Sequence, residues 1–273
     1  MINESKIPKV SVIMCTYNAE NFIKKTIDNL IEQKYDNYEI LIFDDQSSDN
    51  TLDILKEYEN KYQNIVIFND KKRGPYEGLN YLIKKAKGDY VAVQDHDDLW
   101  FENKLEKQVI FLERNKQYIG CGASVYYYFQ SDNKFYPKIN EGVKKKVTHT
   151  TLMFRNKLGI TYNASKTLAD EHFMSVILKG DLYQLREPLT IRRIWSNGMN
   201  LSEKRFKLNM KTINELKELH IKPLYMIDLL SRRFRPWWLN KILRKRHKSL
   251  SFDKFKNNQV TIYIEINRFI PLL

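Results

Sequence analysis

The stretch Tyr90–Trp100, YVAVQDHDDLW, decides the fold. Its first half is an apolar and aromatic run of strand character. Its second half releases three carboxylates within four positions, Asp95, Asp97 and Asp98. Outward from it the same unit recurs. Lys9–Tyr17, Tyr38–Asp45 and Ile65–Asp70 read as three earlier strands. After the first strand, Ile23, Ile27, Leu30 and Ile31 share one helical face. Ser48 stands where it can cap a second helix, with the stripe Leu52, Leu55 and Tyr62. Gly74-Pro75 breaks the chain before a third helix that ends at Gly88, and Leu105, Val109 and Leu112 mark a fourth. Strands alternating with helices imply an α/β fold, a mostly parallel sheet flanked by helices.

The second half is less regular. Tyr118–Phe129 reads as a strand, Thr148–Arg155 as a strand or loop facing the sheet end, and the run from Ala169 as helical. Leu182–Trp195 reads as a strand with a turn at Pro188. A boundary near Ser202 separates an α/β domain (1–201) from a mainly helical, basic C-terminal extension (202–273). Cys15 and Cys121 both lie in apolar runs and read as buried free thiols of a reducing compartment.

Open α/β sheets bind ligands at the carboxyl ends of their strands. Here the first strand delivers CTYN, the second Asp44-Asp45, the third Asn69-Asp70 and the Gly74 turn, and the fourth the three acids. Converging carboxylates must be offset by a cation or raised in pKa. A hard divalent metal suits carboxylate oxygens, and Mg²⁺ or Mn²⁺ takes its remaining ligands from phosphate and water. The pattern therefore points to a metal-diphosphate ligand. Neither a G-x-G-x-x-G after the first strand nor a G-x-x-x-x-G-K-[ST] is present. A receiver-type phosphorylation domain would need an acid pair after the first strand and about half this length.

Taken together, KVSVIMCTYN, YEILIFDDQSSDNT and GDYVAVQDHDDLW closely resemble the family 2 glycosyltransferases of GT-A fold, over roughly the first 200 residues. The resemblance implies an inverting enzyme that uses a nucleotide-diphosphate sugar, a UDP-sugar favoured, with Mn²⁺ or Mg²⁺. It implies a donor site built from Thr16, Tyr17 and Asn18, with Tyr17 against the base, Asp45 on the base edge, and Asp95 near the ribose or donor sugar. Arg73 stands near the phosphates, although a solvated turn is the alternative there. Asp97 or Asp98 would hold the metal. The catalytic base is expected in TLADEHFMSV, at Asp170, with Glu171 one residue away as the alternative; an acid there also suits a helix N-terminus. His96 is expected to be a local hydrogen-bonder and His149 a structural histidine, an acceptor-facing role being the alternative. One departure stands out. Trp195 occupies the place where relatives carry a metal- or diphosphate-binding His; either Asn197 or Asn200 compensates, or Arg192 and Arg193 hold the phosphates without it, or metal binding is weaker, and a degenerate, donor-binding protein is left open.

The net charge is +13, and eight Lys/Arg with no acid lie between Leu229 and Phe252. There Trp237, Trp238, Lys241, Arg244 and Lys245 interleave an apolar and a basic stripe at helical spacing. That pattern suits a helix lying on an anionic membrane surface; a helix packed on the domain is the alternative. No nucleic-acid-binding motif accompanies the charge. The opening MINESKIPKV has no apolar h-region. The expected setting is cytoplasmic, peripheral on the inner face of the cell membrane, with a glycan or lipid-linked acceptor and a role in bacterial surface polysaccharide or lipooligosaccharide synthesis.

Overall fold

Strands β1 (Val10–Thr16), β2 (Tyr38–Asp44), β3 (Ile65–Phe68) and β4 (Tyr90–Asp95) run parallel in the spatial order β3-β2-β1-β4. Helices α1 (Ile23–Ile31), α2 (Thr51–Lys61) and α3 (Pro75–Lys85) connect them. The structure is a computed structural model that describes residues 7–194 apart from 131, 132, 158, 167 and 180. The short β5 (Leu99–Trp100) follows the acidic stretch and leads into α4 (Lys104–Arg114). Then come β6 (Gly120–Phe129), β7 (Lys134–Lys138), β8 (Gly142–Lys144), a 3₁₀ turn (His149–Thr151), β9 (Met153–Arg155), α5 (Ala169–His172) and β10 (Leu182–Ile194). Beyond β4 the sheet continues β9-β6-β10-β5. Strand β9 is antiparallel to both β4 and β6, and β10 is parallel to β6. Strands β4, β6 and β10 therefore share one direction, and their carboxyl ends reach the same edge.

The parallel strands are apolar on both faces because both are covered. Val10, Val12 and Met14 pack with Ile23, Ile27 and Leu30 of α1 and Leu105, Val109 and Leu112 of α4. On the opposite face Ile13, Phe43, Val91 and Val93 pack with Leu79, Leu82 and Ile83 of α3 and with Phe173. Burying each of the larger side chains contributes about 1.5–3 kcal/mol. Cys15 and Cys121 are free thiols, and burial raises the pKa of both.

Several local expectations are corrected. The break expected at Gly74-Pro75 falls at Gly74, with a φ of 82°, and Pro75 already opens α3, where its missing N–H costs nothing. α3 stops at Lys85; Gly88 lies beyond it, and a Cβ there would meet the Ser11 nitrogen at 2.5 Å. Ser48 does not cap α2, which begins after Asn50; its N–H donates instead to Asn18 Oδ1 at 2.9 Å. Strand β10 runs through Pro188, and the expected turn is a bulge. Leu185, Pro188 and Thr190 face the consecutive residues Ala123, Ser124 and Val125. The helical reading from Ala169 holds as α5 followed by a π turn, Phe173–Ile177. The expected boundary near Ser202 and the helical extension lie outside the described residues.

Candidate active site

Strand order reverses between β1 and β4, since β1 leads by α1 to β2 on one side and the chain beyond β4 builds the other. The crevice at that point is where open α/β sheets take ligands. Asp95 ends β4 there, and Asp97 and Asp98 follow.

Helix α1, with Gln33 just past its C-terminal end, holds this acidic loop by its backbone. Thr26 Oγ1 donates to the His96 carbonyl at 2.7 Å. Asn29 Nδ2 donates to the Trp100 carbonyl at 2.9 Å, while its Oδ1 accepts the Trp100 N–H at 2.6 Å. Gln33 Nε2 donates to the Phe101 carbonyl at 3.0 Å. From β4 itself, Gln94 Nε2 donates to the Asp98 carbonyl at 2.7 Å. All four side chains are buried. Neutral amides and a hydroxyl thus fix the loop without spending the charge of its carboxylates. The sequence reading missed this set. Its signal was a polar stripe, Thr26, Asn29 and Gln33, at i, i+3 and i+7 beside the apolar one.

The three carboxylates are not equivalent. The Asp95 side chain is 33% exposed, so it remains open to a ligand, and its Oδ1 lies 3.5 Å from His149 Nδ1. Burial opposes its ionisation, yet His149, with Arg192 behind it, brings its pKa below the usual carboxylate value. Asp98 is 1% exposed. Its Oδ1 accepts the Arg193 N–H at 2.9 Å, and Oδ2 has no hydrogen-bond partner among the described residues. Burial first, then the charges of Asp97 and Asp95, raise its pKa well above the usual range. Asp97 is half-buried, and its carbonyl accepts from Arg193 Nε at 3.2 Å. The Arg192 guanidinium faces all three: burial lowers its pKa, but Asp98, Asp95 and Asp97 reverse the shift. A resident cation therefore offsets part of the cluster before any ligand arrives.

The other strand ends form the rest of the crevice. Tyr17 is exposed, and Lys72 Nζ sits 4.4 Å from its ring centroid. Asn18 takes a left-handed φ of 49° and ties the β1 end to Ser47 and Ser48. Thr16 is buried, and its hydroxyl has no partner among the described residues. Asp45 Oδ1 accepts the N–H groups of Arg73 and Gly74 at 2.6 and 2.9 Å, so its carboxylate closes the β3–α3 turn. The Arg73 side chain pairs with Asp70 and lies over the Tyr81 ring at 4.5 Å.

Across the crevice, His149 Nε2 is 2.9 Å from the Tyr162 hydroxyl. Burial lowers the His149 pKa, but Asp95 and then Asp170 reverse the shift, with Arg192 opposing them. The charge of Asp170 thus acts on the same histidine as that of Asp95. Glu171 turns away to Lys146, at 2.8 Å. Trp195, Asn197, Asn200 and the tail residues Trp237, Trp238, Lys241, Arg244 and Lys245 lie outside the described residues.

No three His, Cys, Asp or Glu side chains among the described residues are grouped to hold an ion alone. The donor set nevertheless fits a hard cation that completes its shell with phosphate and water. It offers the half-buried Asp97 and a buried carboxylate oxygen of Asp98 left without a hydrogen-bond partner among the described residues.

The architecture is that of the GT-A class. It superposes on S. aureus TarS 1-349 in complex with UDP-GlcNAc with a TM-score of 0.64 at 18% identity, over 83% of this chain and 71% of that one. The mannosyltransferase PcManGT from Pyrobaculum calidifontis, in complex with GDP-Man and Mn²⁺, gives 0.60 at 16% identity, over 84% and 74%. At the level of sequence, the family described as Glycosyl transferase family 2 matches residues 11–184, and the chain belongs to that family. The putative glycosyltransferase EpsE of Bacillus subtilis is 40% identical over 54% of this chain and 56% of its own length. The chain thus spans little more than half of that relative. The Escherichia coli UDP-Glc:alpha-D-GlcNAc-diphosphoundecaprenol beta-1,3-glucosyltransferase WfgD is 29% identical over 77% of this chain and 82% of its own length.

Proposed function

We propose that the protein transfers a sugar, with inversion, from a nucleotide-diphosphate donor to a glycan or lipid-linked acceptor in cell-surface polysaccharide synthesis. One observation carries this reading: His149, beside the open carboxylate Asp95 at the strand-order switch, also meets Tyr162, which stacks on Phe173 at the end of the separate element that bears Asp170, and the charges of both acids act on His149. A donor on one side and a base on the other is the arrangement that direct displacement needs. The names of WfgD and EpsE, and the UDP-GlcNAc and GDP-Man complexes of the fold relatives, support the substrate class.

In this reading the exposed Tyr17 ring receives the base, with Thr16 and Asn18 beside it and Asp45 at the base edge. Asp95 takes the ribose or donor sugar. Asp97, more open than Asp98, holds Mn²⁺ or Mg²⁺. When bound, the metal supplies positive charge to the departing diphosphate. Arg192 adds a fixed cation to the same region, and Arg73 would serve only after leaving Asp70. Asp170 accepts the proton of the acceptor hydroxyl as that oxygen bonds to the anomeric carbon. The bond from that carbon to the diphosphate oxygen breaks on the opposite face, which inverts the centre. Glu171 is already paired with Lys146. A UDP-sugar is the favoured donor. The basic, tryptophan-bearing tail would hold the protein against an anionic leaflet where lipid-linked acceptors lie.

The test is transfer of labelled sugar to a synthetic diphospholipid-linked GlcNAc. Asp170→Asn is expected to lower kcat by about 10²–10⁴-fold, while Glu171→Gln stays within about fivefold of the wild type. Equal loss in both variants, or loss only at Glu171, would reassign the base.

A further inference from the structure

We propose that His149 is a positioning residue, the middle of a strut that fixes the donor-side carboxylate Asp95 relative to the turn carrying Asp170. This rests on the roles given to those two acids above. The strut is continuous. His149 Nδ1 lies 3.5 Å from Asp95 Oδ1, and Nε2 lies 2.9 Å from the Tyr162 hydroxyl. The Tyr162 ring stacks on Phe173, with centroids 3.9 Å apart and planes 15° from parallel. Phe173 directly follows α5, which bears Asp170.

Each joint is held from behind. Asn80 of α3 clamps the Tyr162 backbone on both sides: its Oδ1 accepts the Tyr162 N–H at 2.6 Å, and its Nδ2 donates to the Tyr162 carbonyl at 2.9 Å. Tyr162 and Phe173 are buried, at 3% and 0% exposure. His149 itself sits on the 3₁₀ turn beside β4. A stacked, doubly clamped tyrosine has little freedom, so it transmits position between the two acids. A structural histidine needs only to be satisfied. This one turns Nε2 to a hydrogen bond with Tyr162 and Nδ1 to an ion-pair contact with Asp95, on the two sides of the crevice. Residues held this way set reaction geometry, and small misplacements of reacting groups are costly.

The experiment uses the full chain with His149→Asn, Tyr162→Phe and the double variant, reading kcat, donor KM and thermal midpoint. His149→Asn is expected to lower kcat about 10–100-fold, with donor KM within about threefold and the thermal midpoint within about 2 °C. Tyr162→Phe keeps the stack and loses only the hydroxyl, so its loss is smaller. The double variant should be no worse than His149→Asn, because both act through one strut. A His149→Asn kcat within about threefold of the wild type overturns the proposal; so does a loss that follows a matching fall in thermal midpoint. If the wild type shows no transfer, the functional reading fails, and the strut is judged without turnover. The groups facing His149 are Asp95, Asp170, Tyr162 and Arg192. Asp95→Asn should then lower the His149 titration midpoint followed by NMR, and an unchanged midpoint overturns the strut.

Discussion

Asp97 and Asp98 are neighbours in sequence with different surroundings. Asp98 gives one oxygen to the Arg193 N–H and buries the other; Asp97 is only half-buried. Because the Asp98 pKa is raised on folding, its stabilising share is complete below the unfolded value and is lost as pH rises through the folded one. Asp98→Asn keeps the acceptor for Arg193 and removes that loss. Its thermal midpoint at neutral pH should match or exceed the wild type. Asp98→Ala strands a buried N–H and should cost about 1–3 kcal/mol by denaturant unfolding. A midpoint lowered equally by both would contradict the role of Asp98 as an acceptor. At this scale the sequence shows the carboxylates, because three acids after an apolar run have few explanations. It does not show His149 as part of the cluster. A lone histidine in THTT carries no sign of which strand end it will face.

Helix α1 and the two residues beyond it carry two stripes, and only the apolar one was read. Thr26, Asn29 and Gln33 find their partners about 70 positions away, in the backbone of the acidic loop. Nothing local to α1 announces such partners. Asn29→Leu leaves the Trp100 N–H and carbonyl without this partner, and a loss of about 2–4 kcal/mol is expected by denaturant unfolding, together with reduced turnover. Unchanged stability would mean that the loop holds itself. Lys104, the first residue of α4, is a second test. It is fully buried, its amine has no hydrogen-bond partner among the described residues, and it lies 3.5 Å over the Trp100 ring. Burial brings its pKa down to about 7. Between that value and the unfolded one near 10.4 the unfolded chain holds more protons, so wild-type stability should rise with pH across that window. Lys104→Met should flatten the rise and add about 1–4 kcal/mol near pH 7 in melts at several pH values. A wild-type profile that is flat from about pH 7 to 10 would contradict a neutral buried amine.

Across the molecule, legibility follows how local the pairing is. The β3-β2-β1-β4 half was readable because each parallel strand is a continuous apolar run followed by its own crossover helix. Strands β5, β7 and β8 were not read. They are two, five and three residues long, and their antiparallel partners are set by tertiary contacts. The proline in β10 reads locally as a turn, and only the register against β6 turns it into a bulge. The cation that the acidic pocket calls for was expected as a metal, with Arg192 and Arg193 as alternative holders of the phosphates; the fold brings the charge of Arg192, from β10 and 94 residues past Asp98, to bear on the carboxylates themselves. The central claim is that this pocket binds a metal-diphosphate sugar and cleaves it. The most direct measurement is nucleoside diphosphate release from a panel of nucleotide sugars, with and without Mn²⁺, alongside Asp97→Ala and calorimetry with UDP, GDP and dTDP. The account predicts release from one donor that needs the metal, vanishes on chelation and is lost in Asp97→Ala. No release from any donor, together with no calorimetric binding of any of the three nucleotides in Mn²⁺, would contradict it.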